Sequence, residues 1–264
     1  MNLQKPLIKQ GWLRALLYVL AIVGVAIGVS QLALNIGYFI LVASVVIITS
    51  LFRTYIDRKS FLSLGFKWKG YSNEAALGFF AAIAIIGLGT LILTFSGYLS
   101  FIGISYTNEI LQTIGFLVAV AFIEELVFRG YLLNNLMQSL NKWIALFITA
   151  LLFALVHTNN PDVTIVPVLN VFVAGLLLGI NYIYTKNLWF SIFFHFIWNV
   201  FQGPVLGYEV SGFEMPFILE QNLEGPVLLT GGEFGFEGSI ICLVLIILFT
   251  AWFAYTFSKR YRFK

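Results

Sequence analysis

Residues 115–133 read GFLVAVAFIEELVFRGYLL. Apart from Glu124, Glu125 and Arg129, this stretch is apolar enough to lie in lipid or at the centre of a helix bundle. An ionisable side chain at the middle of a membrane helix costs about 2.5–3.5 kcal/mol on insertion scales, so its presence points to a function and to a partner. The chain has only two histidines, His157 in FALVHTNN and His195 in FFHFIWN, and both lie in strongly apolar helical stretches. Histidine and a buried carboxylate can both move protons near neutral pH, which makes these residues candidates for acid–base chemistry within a membrane.

The rest of the chain agrees with a membrane setting. Of its 264 residues, 60% are hydrophobic and 10% charged, with a mean hydropathy of +0.93. Too few polar groups remain to cover a compact soluble domain, so the composition implies a polytopic membrane protein of the all-α class. Apolar runs long enough to cross about 30 Å of hydrocarbon can be placed near 11–30, 33–52, 74–96, 110–130, 143–158, 163–184, 188–206 and 238–257. These predict a bundle of about eight transmembrane helices forming a single transmembrane domain, 1–264. With that count, all 15 lysines and arginines fall on one side, while the other side carries Glu109, Asp162, Glu209, Glu214, Glu220, Glu224, Glu233 and Glu237. Because lysine and arginine resist translocation, both termini are expected in the cytoplasm.

A basic start followed by Ala15–Val29 could also belong to a signal peptide, but no small-x-small cleavage site follows and a second apolar run begins at once. The mild +3 charge lies along one face and calls for no nucleic acid. Cys242, the single cysteine, can form no internal disulfide and is expected in packing or facing lipid. Glycines 24, 28, 87 and 89 are expected to let helices approach closely. Two connections are long: Arg53–Ser72, whose mixture of charge and aromatics suits the interface, and the acidic, glycine- and proline-containing outer loop 203–238.

Helical periodicity puts Glu125 with Arg129, Phe153 with His157, and His195 with Asn199 on shared faces. A polar turn at Gln138–Lys142 predicts a hairpin, and reflection about position 141 sets the two glutamates opposite His157 and Arg129 opposite Phe153. Each residue alone has a plainer reading. The Glu–Glu–Arg cluster could be an ion pair locking two helices, His157 a helix-end residue, and His195 or Asn199 a hydrogen-bonded bundle residue. Trp189, Phe194 and Trp198 are most simply packing or belt aromatics.

The ordered motifs E-E-L-V-F-R at 124–129, F-A-L-V-H at 153–157 and H-F-I-W-N at 195–199 resemble those of the CPBP family, the CAAX-protease and bacteriocin-processing intramembrane endopeptidases. The following QGPVLGYEVSG is similar to a glycine-rich stretch in bacterial members, so the motif-bearing protease core covers about 110–212. The resemblance implies a multi-pass protein of the cell membrane, of bacterial plasma-membrane type, that hydrolyses a peptide bond of a membrane-associated, lipidated or peptide substrate. It further implies that Glu124 and His157 activate water, that His195 and Asn199 stabilise the oxyanion, and that Glu125, Arg129 and Phe153 support them. Two histidines and a glutamate could supply three zinc ligands at Glu124, His157 and His195, and relatives are often labelled metalloproteases. The chain has no H-E-x-x-H helix, and the resemblance allows a metal-free glutamate mechanism, so no cofactor is required by the expected chemistry. The alternatives are a catalytically silent scaffold or regulator of the same fold and a proton-coupled transporter, although no paired broken helices are evident for the latter.

Overall fold

A computed structural model describes residues 5–31 and 37–261 of the chain. Arg262, Lys264 and the start of the expected 33–52 span lie outside the described residues. The protein is a mostly helical membrane bundle with seven helices long and apolar enough to cross a bilayer among the described residues. These are α1 (Gly11–Ser30), α2 (Gly37–Ile56), α3 (Ser72–Phe95), α4 (Glu109–Leu136), α5 (Lys142–Asn159), α6 (Ile165–Thr185) and, following an eighth shorter helix α7 (Trp189–Val200), α8 (Ile240–Arg260).

The expected span at 188–206 is thus a helix of 12 residues, continued by a π turn at Phe201–Val205 that contains Pro204. At 1.5 Å per residue α7 is about 18 Å long, short of the hydrocarbon thickness. It has no need to match lipid, because α3, α4 and α6 pack around it and eight of its residues are buried. Gly78 of α3 makes this fit possible: a Cβ there would stand 2.2 Å from the carbonyl oxygen of Phe190.

The helices alternate in direction. At one end Arg14 of α1 meets Asp57 after α2 and Gln138 after α4, Asn187 before α7 meets the Lys67 carbonyl, and Arg260 of α8 meets Glu74 of α3. Both described chain ends therefore lie at this basic end. The opposite, acidic end holds the His157–Asn160 turn and the long loop after α7.

That loop is built rather than loose. Its strand β2 (Leu219–Leu223) pairs antiparallel with β1 (Leu99–Ile104), from Leu99 opposite Leu223 to Ile104 opposite Leu219, with a bulge between Phe101 and Gly103. One reading of the sequence needs correction. Among the described residues Gly24, Gly28 and Gly87 face nothing within 4 Å, whereas Gly89 abuts the ring of Phe236 from the loop. Helix–helix approach falls instead to Gly78 and to Gly175, whose Cβ would sit 2.9 Å from Ala150 Cα. The Arg53–Ser72 connection also reaches inward, with Arg53 and Leu64 buried, while Leu62 and Trp68 stay exposed. Cys242 is buried in the core.

Candidate functional site

Glu124 and Glu125 sit a little past the middle of the 28-residue α4, where the backbone widens from α-helix into a π segment, Leu126–Leu133. Such segments recur at functional sites because they redirect side chains within an otherwise regular helix. The two carboxylates diverge. Glu125 is fully buried and binds Arg129 Nη1 at 2.8 Å. Arg129 also donates to the Gly175 carbonyl at 3.1 Å and lies 4.5 Å above the Phe153 ring, the facing expected from the hairpin reflection. The close α5–α6 contact at Gly175 is what brings that carbonyl within reach.

Glu124 keeps 26% of its side chain exposed, and its exposure is to a cavity of about 380 Å³. His157 lies at the end of α5, and its Nδ1 faces the Phe153 carbonyl at 2.7 Å. A carbonyl only accepts, so Nδ1 carries the proton and Nε2 of the neutral ring carries the lone pair. That Nε2 stands 4.0 Å from Glu124 Oε2. His195 arrives from α7 with Nδ1 3.0 Å from Glu125 Oε1 and Nε2 3.9 Å from Glu124 Oε2. Phe153 separates and steadies the two imidazoles, with ring centroids 4.7 Å from His157 and 6.1 Å from His195. Asn199, one turn beyond His195, is buried and lines the same cavity.

The structure therefore brings together all seven residues singled out from the sequence. Both Nε2 atoms approach Glu124 Oε2, yet neither is within hydrogen-bond range, and that oxygen has no hydrogen-bond partner among the described residues. Gaps of this size suit a bridging water.

The same distances bear on a metal. A tetrahedral zinc site with bonds near 2.0–2.1 Å has ligand edges of roughly 3.3 Å, shorter than either gap. Among the described residues no group of three His, Cys, Asp or Glu side chains is arranged to hold a metal ion. These side chains as placed do not fit one.

Residues 105–201 match the family model described as type II CAAX prenyl endopeptidase Rce1-like. The match spans a little over a third of the chain and takes in α4, α5, α6 and α7. No curated protein and no solved structure matches the chain. The segment similar to this protease family contains Glu124, Glu125, Arg129, Phe153, His157, His195 and Asn199. It ends before the loop that completes the cavity wall.

From that loop come the residues that sequence reasoning missed. Glu237, grouped with the outer acids, is buried and lines the cavity. Its carboxylate accepts from Ser211 N at 2.5 Å, Ser211 Oγ at 2.9 Å, Gln202 Nε2 at 3.3 Å and Trp198 Nε1 at 3.3 Å. Asn170 Nδ2 holds its backbone carbonyl at 2.7 Å. Trp198 is thus more than packing: it joins the loop to the turn of α7 that carries Asn199. The contact between Glu125 and His195 was also unforeseen, because no local spacing links residues 70 positions apart.

Proposed function

We propose that this protein is an intramembrane endopeptidase, in a bacterial plasma membrane with both termini inside, in which Glu124 activates water against a peptide bond of a membrane-associated substrate. The observation that carries this reading is that Glu124 Oε2 is buried without a hydrogen-bond partner among the described residues, with an imidazole Nε2 at 3.9 and 4.0 Å on two sides. A water in that gap donates one hydrogen to Glu124 and the other to the lone pair on His157 Nε2, leaving an oxygen lone pair for attack. Glu124 takes the proton as the water oxygen bonds to the substrate carbonyl carbon. The oxyanion is stabilised by Asn199 Nδ2 and by His195, which as an imidazolium donates Nδ1–H to Glu125 and Nε2–H to the oxyanion. Glu124 then returns its proton to the amide nitrogen, and the carbon–nitrogen bond breaks to a free acid and a free amine.

Glu125 and Arg129 act on the site through His195: the ion pair keeps a carboxylate oxygen fixed behind Nδ1 and sets the ring's orientation. No step requires a metal, so a chelator followed by dialysis should leave turnover unchanged. Loss of turnover that only added zinc restores would reject this mechanism. The protease reading itself is tested by comparing peptides released from membranes carrying the native chain and its Glu124→Ala form. Products that appear only with the native chain are expected. Identical peptide profiles with full cellular function in both would favour a scaffold.

A further inference from the structure

The mechanism leaves one charged group in the cavity unused. Glu237 is 9% exposed, lines the cavity and forms no ion pair among the described residues. Its four hydrogen-bond donors, from Ser211, Gln202 and Trp198, are all neutral. A buried carboxylate without a cation is electrostatically uncompensated, and in a low-dielectric pocket it attracts any positive group that reaches it. Among the described residues no lysine or arginine lines the cavity, and the other carboxylate there is Glu124. Arg129 is fully buried and engaged by Glu125.

The surroundings have the same sign. Glu209 precedes the lining residue Val210, and burial together with the nearby Glu214, Glu233 and Asp162 holds its carboxyl above the usual range. The lysines and arginines of the described chain are gathered at the opposite end or locked in the core. A peptide entering this cavity meets two carboxylates, Glu124 and Glu237, at its wall beside His195, and further acids at its rim.

We propose that the substrate is a peptide with a lysine or arginine close to the scissile bond, its cationic group seated against Glu237 while the amide lies at Glu124. This rests on the protease reading and names its substrate class. Selection arises as much from repulsion of acidic segments as from attraction of basic ones.

The test uses the full-length protein in detergent micelles and three fluorescein-labelled 12-residue peptides of leucine, alanine and serine. They differ only in a central lysine, norleucine or glutamate. Binding is measured by anisotropy to the Glu124→Gln form, so that turnover is not needed. The lysine peptide should bind at least tenfold more tightly than the norleucine peptide, and the glutamate peptide most weakly. In Glu124→Gln/Glu237→Gln the gap between lysine and norleucine should shrink to less than twofold. Equal affinities, tighter binding of the glutamate peptide, or a gap that survives Glu237→Gln would overturn the proposal. Should the double variant fail to fold, the three-peptide order on Glu124→Gln alone decides. If the order holds but the native chain cleaves the lysine peptide no faster than Glu124→Gln does, the charge proposal stands and the protease reading fails.

Discussion

Two buried charge clusters, one at the basic end of the bundle and one a little past the middle of α4, differ in what they leave undone. At the basic end Asp57 is gripped by Arg14 at 2.7 Å and Arg53 at 2.8 Å, all three fully buried. Arg14 also donates to Gln138, Arg53 donates to Ser63, and Tyr131 and Asn135 approach Asp57 at 3.4 Å. That cluster ties together α1, α2 and the end of α4. Behind the cavity wall, by contrast, Glu125 and Arg129 are closed in the same manner at 2.8 Å, but Glu124, which lines the cavity, is held off its neighbours by 3.9 and 4.0 Å. Short, saturated contacts make a clamp. A carboxylate kept just out of reach of two imidazoles makes a place for water.

The contrast is sharpest in paired substitutions. Glu124→Ala should lower turnover by about 10⁴-fold, the upper range for a general base, with little change in thermal unfolding. Asp57→Ala leaves two arginines buried without their counter-charge and should cost about 3–5 kcal/mol of stability, while activity per folded molecule is unchanged. Turnover by purified protein and unfolding of the same samples separate the two effects. A stable Asp57→Ala, or a Glu124→Ala that unfolds early, would erase the distinction between clamp and site. A smaller effect is expected at Asn199: its loss to alanine should reduce kcat by about 10²–10³-fold, as removal of one oxyanion donor does, with KM little altered. A change confined to KM would move Asn199 from the oxyanion to substrate binding.

Much of this arrangement is legible in the residues themselves. The eight apolar runs follow from hydrocarbon thickness, and the one-sided lysines and arginines fit the alternation of helix directions. The meeting of Glu124 with His157 and of Arg129 with Phe153 follows from a hairpin with helical periodicity, because both depend on local spacing about a single turn. The sequence of α7 reads as a full span because its composition is as apolar as its neighbours'; its enclosure by α3, α4 and α6 allows it to be short. Glu237 was hidden for another reason. It sits in a loop with no period to read, and its place in the cavity depends on a fold-back held by Asn170, Ser211 and the β1–β2 pair. The glycines show the same limit: Gly78 and Gly175 carry the close contacts that Gly24, Gly28 and Gly87 do not, a difference set by which face each helix turns to a neighbour.

The most direct test of the account is a crystal structure at a resolution that places water molecules. The account predicts one water between Glu124 Oε2 and the Nε2 atoms of His157 and His195, about 2.7–3.0 Å from the carboxylate oxygen. A dry site in which Glu124 bonds directly to either imidazole, or a metal ion bound among the three side chains, would contradict it.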